Sequence, residues 1–367
     1  MNSIAIIGSG PSGCFLAEIL ATKRPDLKID IYERLPYPFG LAVHGVAPDH
    51  LHTRKITEQF KRTLDRAEVN LISNVTIGSD MHYEELKSSY DRVIFAVGAS
   101  QDRKMGIAGE ELAGVYGSGF FTRWYNHHPE SINHVPKIGR KIGIIGNGNV
   151  ALDIARVLSK TPQEHLNSDL HPNVREYLAQ TNIEEIHIFG RRGPAEVSFT
   201  YAELAELETL EQIAFHLNKD DLVDVDLDAL PRSQQKVVSQ LLLYSSLHPT
   251  TQKKVTLYFH FNATLKMLEG DNSIQALIVE QRKTGQTIRF ELDTLVSAIG
   301  YETPPIPNVP YDEHKRRFAH HDSVIEPGVY CVGWCQRGPQ GVIPTNRSEA
   351  MNLARKIIKE LESVNVN

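Results

Sequence analysis

The sequence predicts an α/β fold of two three-layer units, each built on a parallel sheet, with one unit inserted into the other. Three observations predict it. A short apolar run at Ile4–Ile7 leads directly into a glycine-rich turn and a helical stretch. The same arrangement returns at Lys141. Two strand-and-glycine segments, 91–99 and 294–301, echo each other where a chain would cross between two such units. Strands alternating with helical patterns argue for parallel βαβ units.

Ile4-Ala5-Ile6-Ile7 is fully apolar, as expected of a strand buried on both faces. Gly8-Ser9-Gly10-Pro11-Ser12-Gly13 follows, and then a helical stretch, Cys14–Ala21. The G-x-G-x-x-G spacing between strand and helix is the dinucleotide-binding fingerprint of a Rossmann unit. Gly8 permits the tight turn, Gly10 lets a pyrophosphate approach the backbone, and Gly13 lets helix and strand pack closely. Pro11 and Ser12 complete the candidate turn, whose phosphates would sit at the positive end of the helix. A second strand, Ile29–Tyr32, ends at Glu33, 20 residues after Gly13. A carboxylate there accepts a hydrogen bond from an adenosine ribose hydroxyl. Read without that context, it is a surface Glu after a glycine turn. The strand at 91–99 then closes on Gly98, a further candidate cofactor contact.

The second unit repeats the pattern with one substitution of sign. Lys141–Ile145 is a strand, Gly146-Asn147-Gly148-Asn149-Val150-Ala151 is a G-x-G-x-x-A turn, and Leu152–Ser159 is helical. The next strand, Ile186–Phe189, ends at Gly190-Arg191-Arg192 rather than at a carboxylate. A ribose 2′-phosphate needs cations, and an acidic residue there would repel it. The first site therefore suits a free 2′-hydroxyl and the second a 2′-phosphate. FAD in the first and NADP(H) in the second is the pairing this suggests. The expected layout is an FAD domain of 1–103 plus 299–367, with an NADPH domain of 104–298 inserted.

Composition excludes several classes. The chain has 367 residues, 41% of them hydrophobic, and a net charge of −6, so no general attraction to nucleic acid is implied. No apolar run approaches the roughly 20 residues of a membrane helix. Three cysteines, Cys14, Cys331 and Cys335, form no C-x-x-C and no zinc-spaced cluster, so no metal site is expected. Few cysteines and no secretory segment fit the cytoplasm.

More specific motifs surround this frame. They are Pro38-Phe39-Gly40-Leu41, Gly45-Val46-Ala47-Pro48-Asp49-His50 and Gly146–Asp153. Gly190-Arg191-Arg192-Gly193-Pro194 is followed by Phe199-Thr200 and Glu203-Leu204. Near the end come Gly333-Trp334, Arg337-Gly338-Pro339 and Gly341-Val342-Ile343. Over nearly its whole length the sequence resembles the adrenodoxin reductase family of ferredoxin–NADP reductases. The resemblance implies that Ser12, Glu33, Leu41, Ile77, Trp334 and Gly341–Ile343 contact FAD, and Gly40 and Gly333 in the same motifs are further candidate cofactor contacts. It implies that Asn147–Val150, Arg191, Arg192, Glu203 and Gly341 contact NADPH, and that His50 and Glu203 are the polar groups near the reacting rings. The implied activity is hydride transfer from NADPH to FAD, then single-electron transfer to a ferredoxin or flavodoxin.

The residues taken alone leave alternatives open. Trp334 also reads as a core aromatic, Gly341–Ile343 as a helix cap, His50 as a neutral loop histidine and Glu203 as part of a solvated helix face. A thiol–disulfide reductase of this architecture needs a cysteine pair that the spacing does not supply. A monooxygenase or oxidase, or a non-catalytic nucleotide sensor, shares the double fingerprint. Two departures from the family stand out. The chain ends soon after a helical stretch at Asn346–Leu361, where family members usually continue, which puts in doubt what that segment adds to flavin cover or partner contact. The region matching the family's basic docking helix, Pro231–Gln240, keeps only Arg232 and Lys236 as charges. Docking of an acidic carrier is expected to be weak there or to use another surface or partner; His248–Phe261 with its Lys253-Lys254 reads first as a solvated loop and second as a substitute patch.

Overall fold

The computed structural model describes residues 2–247 and 254–364. The chain divides into two compact units. The first holds Met1–Val46, His50–Gln101 and Tyr301–Asn367; the second holds Ala47–Asp49 and Asp102–Gly300. Of the 248–261 segment, 248–253 lies outside the described residues.

Along the chain, the first unit begins with β1 (Ser3–Ile7), α1 (Pro11–Lys23), β2 (Lys28–Glu33), β3 (Val69–Ser73) and β4 (Arg92–Phe95). The second unit runs through β5 (Val115–Gly117), α2 (Ser118–Tyr125), β6 (Lys141–Ile145), α3 (Asn149–Ser159), β7 (Glu185–Phe189), α4 (Tyr201–Glu206) and β8 (Ile213–Leu217). It continues with α5 (Arg232–Ser246), β9 (Val255–His260), β10 (Ala263–Glu269), β11 (Ala276–Gln281), β12 (Thr287–Glu291) and β13 (Thr294–Ser297). The chain then returns to the first unit for β14 (Val324–Glu326), β15 (Val329–Cys331) and α6 (Ile343–Val364).

The first sheet has the order β14-β15-β4-β1-β2-β3, parallel except for β14. The second has the order β5-β13-β6-β7-β9-β8 and is parallel throughout. The parallel cores β4-β1-β2-β3 and β13-β6-β7-β9 repeat one strand order. In each unit the strand before the glycine turn is central, so it is covered on both faces and reads as continuous apolar sequence.

Each sheet is the middle layer of its unit. On one face of the first sheet, Phe15, Leu16 and Leu20 of α1 pack with Ala350, Leu353 and Ile357 of α6. On the other face, Ile77, Tyr83, Phe95 and Phe318 form a separate cluster. In the second unit, Phe121 and Trp124 of α2, Leu152 and Ile154 of α3, Leu204 of α4 and Leu241 of α5 share one core. The small antiparallel sheet β10-β11-β12 covers the other face through Leu268, Leu277 and Val279.

Helices start earlier than the apolar pattern alone suggests. α1 begins at Pro11, whose missing N–H is no loss at a helix start. α6 begins at Ile343 rather than Asn346, and Thr345 Oγ1 accepts from Val342 N at 3.3 Å. The chain enters the second unit at Asp102, whose carboxylate accepts from Gly119 N at 2.7 Å and Phe120 N at 3.2 Å, capping the first turn of α2.

The second sheet also carries a ladder of polar aromatics. His187 of β7 stacks on Tyr258 of β9 with centroids 4.4 Å apart, and its Nδ1 lies 2.9 Å from His260 Nε2. Its Nε2 faces Glu185 Oε2 at 3.1 Å. Burial, reinforced by neighbouring His187 and His216, pushes His260 down to about 3. Burial also lowers His187, against the pull of Glu185. Among the described residues, no helix is long and apolar enough to cross a membrane.

Candidate functional site

In the first unit the glycine turn is shaped by its neighbours. Gly8 has φ +107°, and a Cβ there would lie 2.6 Å from the Ala96 carbonyl oxygen. A Cβ on Gly13 would fall on the Gly8 carbonyl, so helix and turn are in backbone contact. Gly10 differs: a Cβ there meets nothing within 4 Å. The turn therefore has two closed positions and one open face. The loop after β2 arches over it, because Phe39 N donates to the Ser9 carbonyl at 3.1 Å and a Cβ on Gly40 would sit 3.2 Å from Gly10 Cα.

Glu33 is buried at the end of β2, and its carboxylate is held by this loop system. Its Oε2 accepts from Ser9 N at 3.2 Å and Ser9 Oγ at 2.5 Å, and its Oε1 accepts from Leu35 N at 3.0 Å. The structure thus brings Glu33 to the glycine turn, against the reading of a solvated Glu.

Ser12 faces Gly333, where a Cβ would collide with the serine hydroxyl. Gly98 has φ +70°, and its carbonyl accepts from Thr303 Oγ1 at 2.9 Å. Ile77 is buried in the same cluster as Tyr32. Trp334 opens a short helix, Trp334–Arg337, and stacks on Tyr301 with centroids 6.0 Å apart at 16°. Its indole Nε1 is buried with no partner among the described residues. Gly341 has φ +78°, Val342 is 62% exposed, and Ile343 is the first residue of α6. Leu41 opens a short helix, Leu41–His44, and is partly exposed. His50 caps the short helix Leu51–Arg54 through its carbonyl, which accepts from Arg54 N at 3.2 Å.

In the second unit the turn after β6 repeats the design. Gly146 has φ +134° and abuts the Ala298 carbonyl, while a Cβ on Gly148 meets nothing within 4 Å. The two asparagines of the turn have a structural duty that the sequence pattern did not disclose. The Asn147 carbonyl accepts from Ser198 N at 2.7 Å and Phe199 N at 3.0 Å, and Asn149 Oδ1 accepts from Thr200 N at 2.8 Å. They fasten the segment leading into α4 to the glycine turn, and Thr200 Oγ1 in turn accepts from Glu203 N at 3.4 Å. Val150, on the first turn of α3, packs at the edge of the core. Arg191 and Arg192 are exposed on the loop after β7.

Glu203 is not on a simple solvated face. Its Oε2 lies 3.2 Å from Nη1 of Arg156, a residue of α3 whose side chain is only 2% exposed. Arg156 also binds Asp49 in two-pronged fashion, Nε–Oδ2 at 2.8 Å and Nη2–Oδ1 at 3.1 Å. Asp153 Oδ1 and Glu206 Oε2 also face it at 2.8 and 3.2 Å. Lys160 Nζ adds a second cation to Asp49 at 2.5 Å. Burial alone would raise the Asp49 carboxyl, but Arg156 and Lys160 hold it well below the usual carboxylate range. Burial would weaken the Arg156 charge; its carboxylates more than restore it. This network explains why Ala47–Asp49 belongs to the second unit. Arg156 was invisible to pattern reading because its partner Asp49 lies 107 positions away. A charged residue among Ile154, Ala155, Val157 and Leu158 was the available signal.

All three cysteines are unpaired and buried. Burial pushes the Cys335 thiol up to about 11 and raises Cys14 and Cys331 further. A thiolate nucleophile is thereby disfavoured at every cysteine.

The profile of the pyridine nucleotide-disulphide oxidoreductases matches residues 2–187. NADPH-ferredoxin reductase FprA of Mycobacterium tuberculosis is 33% identical over 98% of this chain and 84% of its own length. Cindoxin reductase of Citrobacter braakii is 34% identical over 98% and 78% of the two chains. The mitochondrial NADPH:adrenodoxin oxidoreductase of Salvelinus fontinalis is 32% identical over the same shares. The solved structure of Mycobacterium tuberculosis FprA in complex with NADPH superposes with a TM-score of 0.95 at 32% identity, covering 99% of this chain and 85% of that one. A thioredoxin reductase of T. acidophilum shares the fold at 14% identity and a TM-score of 0.59. The chain belongs to the pyridine nucleotide-disulphide oxidoreductases and, within them, to the adrenodoxin reductase-like ferredoxin–NADP reductases.

Proposed function

We infer that this protein is an NADPH-dependent FAD flavoprotein reductase that passes electrons from NADPH through FAD to a ferredoxin- or flavodoxin-type carrier. The observation that carries this is near-complete coverage by NADPH-ferredoxin and NADPH:adrenodoxin reductases at 30–33% identity. When bound, NADPH supplies a hydride, and FAD accepts it and releases electrons singly.

The residues present fit both groups. Gly10 and Gly148 each leave the face of a glycine turn open at a helix start, the shape that lets a pyrophosphate reach backbone N–H groups. Trp334 offers a buried indole N–H with no partner among the described residues. We assign FAD to the first unit, with Gly8, Gly10, Pro11, Ser12, Gly13, Glu33, Gly40, Leu41, Ile77, Gly98, Gly333, Trp334 and Gly341–Ile343 lining its site. NADP(H) is assigned to the second, with Gly146–Val150, Arg191, Arg192 and Glu203. Glu33 retains oxygen lone pairs for a ribose hydroxyl beside its Ser9 and Leu35 donors. The N-terminal end of α6 supplies positive potential for negative charge on the isoalloxazine. His50 and Glu203 are the groups we propose to hold or move protons near the reacting rings. Arg156 is a positioning residue that orients Glu203.

The carrier is proposed to dock on α5, which exposes Arg232 and Lys236 and, further along, Leu242 and Leu243. Two cations steer weakly, so the salt dependence should be shallow. We place the enzyme in the cytoplasm on the strength of its three unpaired cysteines. The test is anaerobic addition of NADPH to the purified holoprotein, followed by ferredoxin or flavodoxin over a salt series. Bleaching of the flavin absorbance and its recovery on adding carrier are expected. Absence of bleaching defeats the reading, and rapid NADPH-driven peroxide formation without a carrier would favour an oxidase.

A further inference from the structure

The loop after β7 is not alone in carrying positive charge. The β11–β12 hairpin, 91 positions downstream, folds back on it: Arg282 Nη1 lies 3.4 Å from the Arg191 carbonyl oxygen. The approach is built, because three segments are tied together by main-chain bonds. Ala263 N donates to Gly190 O at 2.9 Å, Asn262 N to Arg192 O at 3.1 Å, and Arg282 N to Asn262 O at 2.8 Å. Gln281 Nε2 adds a bond to Phe261 O at 3.1 Å. Asn262 sits at φ +55°, a left-handed turn that Asn tolerates and that lets the chain reverse beside Arg192.

The charges of this cluster are distributed unevenly. Lys283, the next hairpin residue, is committed: its Nζ binds Asp224 at 3.1 Å and the Asp220 carbonyl at 3.3 Å. Arg191, Arg192 and Arg282 are exposed, and none has a carboxylate partner among the described residues. The Arg282 guanidinium thus lies against the main chain of the loop that bears Arg191 and Arg192, and three arginines on adjoining segments without a carboxylate partner favour an anion. A phosphate monoester near neutral pH has almost two negative charges and three terminal oxygens, and forked guanidinium donors match it.

We infer that Arg282 is a third cation for the adenosine 2′-phosphate of NADP(H), reaching it from the hairpin opposite Arg191 and Arg192. The inference rests on the reading that those two arginines hold that phosphate. It makes preference for NADP(H) over NAD(H) depend on the small antiparallel sheet as well as on the loop of the parallel one.

The test measures dissociation constants of the holoprotein for NADP+, NAD+ and adenosine 2′-monophosphate by calorimetry, at low and high salt. Arg282→Gln should weaken NADP+ and adenosine 2′-monophosphate about tenfold at low salt, leave NAD+ unchanged, and flatten the salt dependence of NADP+ binding. Arg282→Lys, which keeps the charge, should keep most of the affinity. NAD+ needs the same loop but offers no 2′-phosphate, so its binding to Arg282→Gln is the control for a residue that merely props that loop. Wild-type NADP+ affinity in Arg282→Gln, with a loss in Arg192→Gln, overturns the inference and leaves the Arg191–Arg192 reading standing. Equal weakening of NADP+ and NAD+ overturns it as a purely structural effect. If Arg191→Gln and Arg192→Gln also bind NADP+ normally, the phosphate site itself is misplaced and the inference falls with it.

Discussion

Replacing Arg156 with Gln removes the cation on which four carboxylates converge. In the native chain, Arg156 and Lys160 face Asp49, Asp153, Glu203 and Glu206, two positive charges against four negative. The variant leaves one against four. The dominant loss is the Asp49 pair, where both side chains are nearly inaccessible, at 2% and 8%. Removing one partner of a buried pair costs about 3–5 kcal/mol when the other charge is left alone, and Lys160, which still faces Asp49, holds the loss to the lower end of that range. Glu206 is 45% exposed and adds little to that sum. For a unit of this size, with a urea slope of about 2–3 kcal/mol per molar, the midpoint of the second unit should fall by about 1–2 M at pH 7. The pH dependence carries the sign. The Asp49 carboxyl is depressed in the folded state, so its stabilisation is fully present above the ordinary carboxylate value of about 4 and is lost as pH falls through the folded value. The gap between wild type and variant should therefore narrow below about pH 4. A midpoint unchanged at pH 7, or a gap that stays constant on acidification, would refute the electrostatic account of this network.

Two further outcomes follow from the geometry. Gly10→Ala and Gly148→Ala should leave the melting temperature of the cofactor-free chain unchanged while abolishing FAD and NADP+ binding respectively, since each Cβ meets no protein atom within 4 Å and enters the space we assign to the pyrophosphate. Gly8→Ala should instead destabilise the chain by about 1–3 kcal/mol, because a Cβ at φ +107° meets the Ala96 carbonyl; equal melting temperatures for all three variants would contradict this division. His165, pushed down to about 4 by burial and by Lys160, and the His187–His260 pair are held neutral in the fold. Their folded values lie below the unfolded 6.5, so the stability they contribute is present above pH 6.5 and lost on acidification. The slope is up to about 1.4 kcal/mol per pH unit per group. Thermal scans from pH 7 to pH 5 should show the decline, and a flat profile would disprove it.

What could be read from the sequence was local. The two glycine turns, the carboxylate after the second strand and the arginine pair at the corresponding point lie within spans of about 30–50 residues. Each signal is a spacing that one βαβ unit imposes. The features that escaped reading are long-range. Asp49 gives no hint that its partner is Arg156, and the Asn147 and Asn149 side of the turn looked like ligand contacts alone. Their bonds to Ser198, Phe199 and Thr200 depend on how the chain returns after β7. Nothing in the local sequence singles out Arg282; the main-chain bonds of Asn262 are what place it beside Arg191. Apolar periodicity places helix starts late, because Pro11 opens its helix by its fixed φ and the Ile343 helix starts where the Thr345 hydroxyl accepts from Val342 N.

The fastening of Glu33 bears on any attempt to redesign cofactor choice. Its carboxylate anchors Ser9 and Leu35, so exchanging it for a residue that welcomes a phosphate would strip those donors of their acceptor and loosen the turn it serves. The reverse graft has its own cost, since a side chain at Gly190 would displace the Asn147 amide. Nucleotide preference in this chain is therefore not a portable pair of residues. On the proposed assignment, swapping it requires rebuilding the turn and its overlying loop as one cassette, and that interlock would keep two sites of common design from converging on the same ligand.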